Sequence, residues 1–158
     1  MNTKFTKDDL IYLSGLFDKQ CFDELIDKLD GFLKLGDNAI LLNLKGATLI
    51  AQEKFLEAEK VLNHLVTKFD QSLDGNINLA NVYHKTNRSD IALNKLKDLL
   101  LVDQLNSETE QIIKNNIGMI YNEHSEYDEA IKYLNQALDL NSNAIETLKG
   151  LGAAYRGK

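Results

Sequence analysis

Apolar residues recur every three or four positions through almost the whole chain, the spacing that lays one stripe along a helix. Leu10, Leu13 and Leu16 make one stripe, and Phe22, Leu25, Leu29 and Phe32 make the next. Leu93, Leu96 and Leu100, then Ile131, Leu134 and Leu138, repeat the arrangement further on. The stripes come in pairs. Small residues hold a fixed place in the first helix of a pair, at Gly46, Ala80, Gly118 and Gly152, and in the second helix at Ala58, Ala92 and Ala130. The lag is 34 residues from Gly46 to Ala80, from Ala58 to Ala92 and from Gly118 to Gly152, but 38 from Ala92 to Ala130. Such a period, with small residues at fixed helical offsets, predicts helix pairs stacked in a linear array. The repeats run over about 6–38, 39–72, 73–106 and 111–144, and 145–158 supplies the first helix of a fifth.

Local signals mark where helices start. Thr6 with Asp9 and Ser107 with Glu110 have the spacing of capping boxes, and Asn38 and Asn143 stand as N-caps before their helices. Asn87 suits a left-handed turn between the helices of its pair. The four residues Ser107–Glu110 account for the single stretch of the lag from 34 to 38. With a start signal among them, they predict an extra N-terminal turn on the following helix; a longer loop is the alternative. The chain has no proline, so its strongest potential helix breaker is missing.

Composition narrows the function classes. A 158-residue chain that is 44% hydrophobic and 27% charged can bury a core and remain water-compatible. The net charge of -6, without a basic run, argues against a nucleic-acid backbone reader. The lone Cys21 excludes an internal disulfide and fits a reducing compartment. The start of the chain, Met1–Leu10, has no apolar core of signal-peptide length, and no run reaches bilayer-spanning length. The expectation is a cytoplasmic protein that uses no membrane. His64, His84 and His124 are scattered without ligand spacing, so no metal or other cofactor is expected. No phosphate loop or nucleophile elbow is present, so catalysis is not expected either.

The repeated columns resemble the tetratricopeptide repeat (TPR) family. The likeness is clearest in Asn116-Ile117-Gly118-Met119-Ile120-Tyr121, Tyr127-Asp128-Glu129-Ala130 and Leu134-Asn135-Gln136-Ala137-Leu138. The family's aromatic of the first helix is Tyr83, Tyr121 and Tyr155, with Leu49 in repeat two; the aromatic that opens the second helix is Phe22, Phe55 and Tyr127, with Ser89 in repeat three. Close crossing of two helices needs small residues at the contact. Repeat one departs from this, placing Leu13 and Leu25 in the small columns, so its helices should sit further apart. The resemblance implies an all-α fold: a right-handed superhelical solenoid of antiparallel helix pairs, about four repeats plus one extra helix, forming a single domain over 1–158.

The resemblance also implies a concave face lined by first helices, carrying Asn43, Asn78, Asn81, Lys85, Asn115, Asn116, Asn122, Lys149 and Arg156. A carboxamide both donates and accepts, so such a face can hold the backbone of an extended peptide. Asn78 and Asn116 are placed similarly to the asparagine ladder in the repeats of O-linked N-acetylglucosamine transferases. Lys85, Lys149 and Arg156 would bias the groove towards acidic ligands. Consecutive first helices do not supply the basic residues of a carboxylate clamp. The expected function is therefore a protein-interaction scaffold binding an extended peptide or a partner helix in its groove. Two alternatives come from different classes. One is the N-terminal, substrate-recruiting part of a larger glycosyl-, sulfo- or methyltransferase. The other is self-association through the last helix, whose Leu148, Leu151 and Tyr155 lack a following partner; on that ground the chain is expected to continue beyond Lys158.

Overall fold

The computed structural model describes residues 5–103 and 105–158; residues 1–4, part of the polar start considered above, and Gln104 lie outside them. The described residues form nine α-helices and no strand: α1 (Lys7–Asp18), α2 (Phe22–Leu33), α3 (Ala39–Ala51), α4 (Phe55–Lys68), α5 (Leu73–Lys85), α6 (Ser89–Leu99), α7 (Ser107–Glu123), α8 (Tyr127–Leu140) and α9 (Ile145–Gly157). They group into two compact units, residues 1–82 and 83–158, which part inside α5.

Each helix pair is closed by the same turn. Gln20, Glu53, Asn87 and Ser125 lie at φ 57–61°, in the left-handed region, just after α1, α3, α5 and α7. The next N–H in each case reaches back five residues: Cys21 to Leu16, Lys54 to Leu49, Arg88 to Tyr83 and Glu126 to Tyr121, at 2.8–2.9 Å. This 6→1 bond satisfies a carbonyl that the helix end would leave orphaned. Asn87 was legible in sequence; the other three were not, because Gln, Glu and Ser carry no left-handed preference and are held there by the bonds around them.

Helix starts follow local chemistry with two corrections. Thr6 and Asp9 form the expected capping box, and Asn38 Oδ1 accepts from the N–H groups of Ile40 and Leu41 at 3.0 and 3.2 Å. α7 has 17 residues where α3, α5 and α9 have 13, so the inserted residues do build an extra turn. Its cap, however, is Asn106, whose side chain accepts from Thr109 N at 2.8 Å. Ser107 is already helical, and Glu110 instead pairs with Lys114 at 2.7 Å. Asn143 is not a cap either: its N–H donates to Asn141 Oδ1 in the preceding turn, and α9 begins after Ala144.

In unit 1, Leu13, Leu16, Leu25, Leu29 and Leu41 form a buried cluster, flanked by Phe5, Phe17, Phe32, Leu33 and Leu44. Leu13 and Leu25, the departures from the small columns, are both fully buried and serve as core of repeat one. Where the columns are small, a leucine of the second helix fills the contact. An added Cβ at Gly46 would come within 2.5 Å of Leu62, and one at Gly118 within 2.6 Å of Leu134. Asp37 ties the turn after α2 to α4, bonded to Lys68 Nζ and His64 Nε2 at 2.7 Å each. The Lys68 ammonium first, then the His64 ring, holds its carboxyl below the ordinary carboxylate value. Among the described residues, no helix is long and apolar enough to cross a membrane.

Candidate interaction grooves

First helices carry the candidate residues, and each unit builds its own cavity from them. In unit 1, α1, α3 and the start of α5 enclose about 280 Å³. Leu10, Leu44 and Ala47 supply an apolar wall, Ile40 stands 52% exposed, and Asn43 and Asp74 bring the polar groups. Ile40 and Asn43 face the same cavity because three residues is close to one helical turn. Asn78 does not act independently. Its Nδ2 donates to Asn43 Oδ1 at 2.9 Å, joining α5 to α3. That bond uses one acceptor of Asn43 and leaves its NH₂ to donate.

In unit 2, α7 and the start of α9 enclose about 360 Å³, lined by Gln111, Ile112, Asn115, Ile145, Glu146 and Thr147 among others. Asn115 is also tied down: its Oδ1 accepts from Thr147 Oγ1 at 2.9 Å, and Gln111 Nε2 donates to that hydroxyl at 3.1 Å. Thr147 is fully buried. Sequence reasoning passed over both Thr147 and Gln111. The available signal was the column itself, since Thr147 is a polar residue where Leu41 and Ile113 are apolar. Asn122 Nδ2 donates to the Gly150 carbonyl at 3.0 Å, which pins α7 to α9. Asn81 and Asn116 are half-buried.

Two of the basic candidates stand beside carboxylates. Lys85 Nζ lies 3.8 Å from Glu123, and Lys149 Nζ lies 2.8 Å from Glu146 one turn away. Arg156, the third basic candidate, is exposed near the end of α9. Two of the three cations expected to bias the groove towards acidic ligands thus have a carboxylate neighbour.

Tertiary contacts also gather groups that sequence kept apart. His84 Nε2 sits 2.9 Å from Glu123 Oε2, its Nδ1 is 3.0 Å from Ser89 Oγ, and its ring lies 6.4 Å from that of His124. Both ring nitrogens are thus engaged. Among the described residues, no three His, Cys, Asp or Glu side chains are arranged to hold a metal ion. Tyr121 stacks on Tyr133 at 5.9 Å and accepts from Lys97 Nζ at 2.7 Å; that hydroxyl raises the Lys97 pKa above its ordinary value. Cys21 is exposed at the N-cap of α2.

Comparisons with known proteins fit this architecture. The sequence model of the tetratricopeptide repeat matches residues 113–144. Comparison with curated proteins finds no match. Among solved structures, MamA superposes with a TM-score of 0.70 at 19% identity, covering 98% of this chain and 85% of that one. A tetratricopeptide repeat protein from Parabacteroides merdae gives 0.68 at 18% identity, and there the likeness covers 94% of this chain but 58% of the other. YrrB, described as a TPR protein with an unusual peptide-binding site, gives 0.61 at 16% identity, with 92% and 73% covered. At these identities the likeness establishes the fold: an all-α, TPR-like helical solenoid.

Proposed function

From a chain that matches the tetratricopeptide repeat model at residues 113–144 and has a TPR-like helical fold, we propose a scaffold that binds partner proteins through its first-helix grooves. The observation that carries this reading is the unit-1 cavity. An exposed isoleucine, an apolar wall and an asparagine with amide donors to spare meet there, which suits a side chain and the backbone beside it. The peptide-binding site named for YrrB supports the same use of the fold. Asn43, Asn78 and Asn115 act here partly by holding the walls in register, and Asn43 and Asn115 also line the cavities.

The test is recovery of partners by the intact chain against an Ile40→Glu/Asn43→Ala variant. Losing the burial of one isoleucine removes about 1.5 kcal/mol or more, so partner affinity should fall about tenfold, with helical circular dichroism unchanged. Equal affinity of both proteins for the recovered partner would remove the groove from the reading.

A second reading, self-association through α9, is favoured by Ile145, Leu148 and Tyr155, which are 66%, 48% and 59% exposed on one short helix. Mass measured by light scattering should then rise with protein concentration, and a constant monomer mass would dismiss it.

A further inference from the structure

The two cavities are copies of one another in register. Ile40, Asn43 and Asp74 of the first stand 72 residues before Ile112, Asn115 and Glu146 of the second. Each cavity therefore joins an isoleucine and an asparagine of one first helix to a carboxylate in the first turn of the next first helix. Both isoleucines are open to solvent, Ile40 at 52% and Ile112 at 39%, so core packing does not account for them. A carboxylate in a first turn suits the helix dipole, but that places no demand on the isoleucine across the cavity.

Charge distinguishes the ligand. Asp74 is the single charged residue lining the unit-1 cavity, it is exposed, and it makes no ion pair among the described residues. Its counterpart Glu146 is covered by Lys149 at 2.8 Å. No lysine or arginine lines the unit-1 cavity, so the uncompensated charge facing it is negative.

We propose that the unit-1 cavity receives an aliphatic side chain of a partner segment that carries a lysine or arginine next to it. The aliphatic group packs on Ile40, Leu10 and Leu44, the cation meets Asp74, and the NH₂ of Asn43 donates to a backbone carbonyl of the segment. The unit-2 cavity is a second site of the same class in which Lys149 opposes the cation. This rests on the groove reading above and assigns its charge preference, basic rather than acidic.

The experiment titrates the full ¹⁵N-labelled chain at low ionic strength with three blocked peptides: acetyl-Ser-Leu-Lys-Ser-amide and its counterparts with Gln or Glu in place of Lys. The amide signals of Ile40, Asn43 and Asp74 should move at a concentration about three- to fivefold lower for the Lys peptide than for the Glu peptide, the strength of an exposed ion pair. Asp74→Asn should erase that difference while the shifts remain. Lys149→Ala, by uncovering Glu146, should create the same preference at Ile112 and Asn115. Equal or tighter binding of the Glu peptide, or a preference that survives Asp74→Asn, overturns the charge assignment and leaves the groove reading standing. No shift at either cavity from any of the three peptides overturns the groove reading and this inference with it.

Discussion

Leu134→Ala should lower the unfolding free energy by about 3–4 kcal/mol, read from urea denaturation followed by circular dichroism. Leu134 is fully buried in α8, and its branch atoms occupy the space a Cβ on Gly118 of α7 would need, at 2.6 and 2.8 Å. They also come within 3.4–3.5 Å of a Cβ on Gly150 of α9. One side chain therefore fills the contact among three helices, and truncating it leaves a hole that neighbouring backbone cannot close. The loss combines the transfer of the removed atoms with the cavity they leave. Gly118→Ala alone should also destabilise, since the added methyl meets Leu134 and, at 3.3 Å, the Ala130 carbonyl. In the Leu134→Ala background the same methyl enters vacated space, so the double change should cost less than the sum of the two. A Leu134→Ala cost below about 1 kcal/mol, or strict additivity, would show that α7, α8 and α9 do not meet on this side chain.

Gly46→Val should cost unit 1 about 2–3 kcal/mol, by the same denaturation measurement. A Cβ there would lie 2.5 and 2.7 Å from Leu62 Cδ2 and Cγ, and Leu62 is fully buried, so it cannot swing away. Valine adds two further carbons at a branched Cβ, which leaves little rotamer freedom for escape. Gly15 in α1 is the control. Nothing lies within 4 Å of its added Cβ, so Gly15→Ala should be neutral or stabilise by up to about 1 kcal/mol through helix propensity alone. If the two substitutions behave alike, glycine at position 46 reflects composition and not close helix approach.

Much of the fold was legible because its cause is local and repeated. Of the three-to-four spacing of Leu10, Leu13 and Leu16, Leu13 and Leu16 become the buried side of α1 while Leu10 lines the cavity, and the small columns become the close contacts at Gly46 and Gly118. The four inserted residues became an extra turn of α7, although the cap fell on Asn106, one residue earlier than its neighbour's sequence pattern suggested. The candidate grooves were legible only in part. The asparagines stand on first helices as expected, but their partners lie 28–36 residues away in the chain: Asn78 with Asn43, Gln111 and Asn115 with Thr147, Asn122 with the Gly150 carbonyl. Such pairings depend on how one helix lies against the next.

Sequence alone determined the period, the helix pairs, the small-to-large complementarity between their columns and the first-helix location of the polar candidates, because each is written in residue size and spacing along one helix. Only the tertiary structure decided which of those polar groups are engaged. It turned Asn78 and Asn122 towards neighbouring helices, covered Lys85 and Lys149 with carboxylates, and left Asp74 facing a cavity beside Ile40. The reason is geometric: a hydrogen bond or ion pair needs its partner within about 3–4 Å, and for most of these groups that partner belongs to another helix.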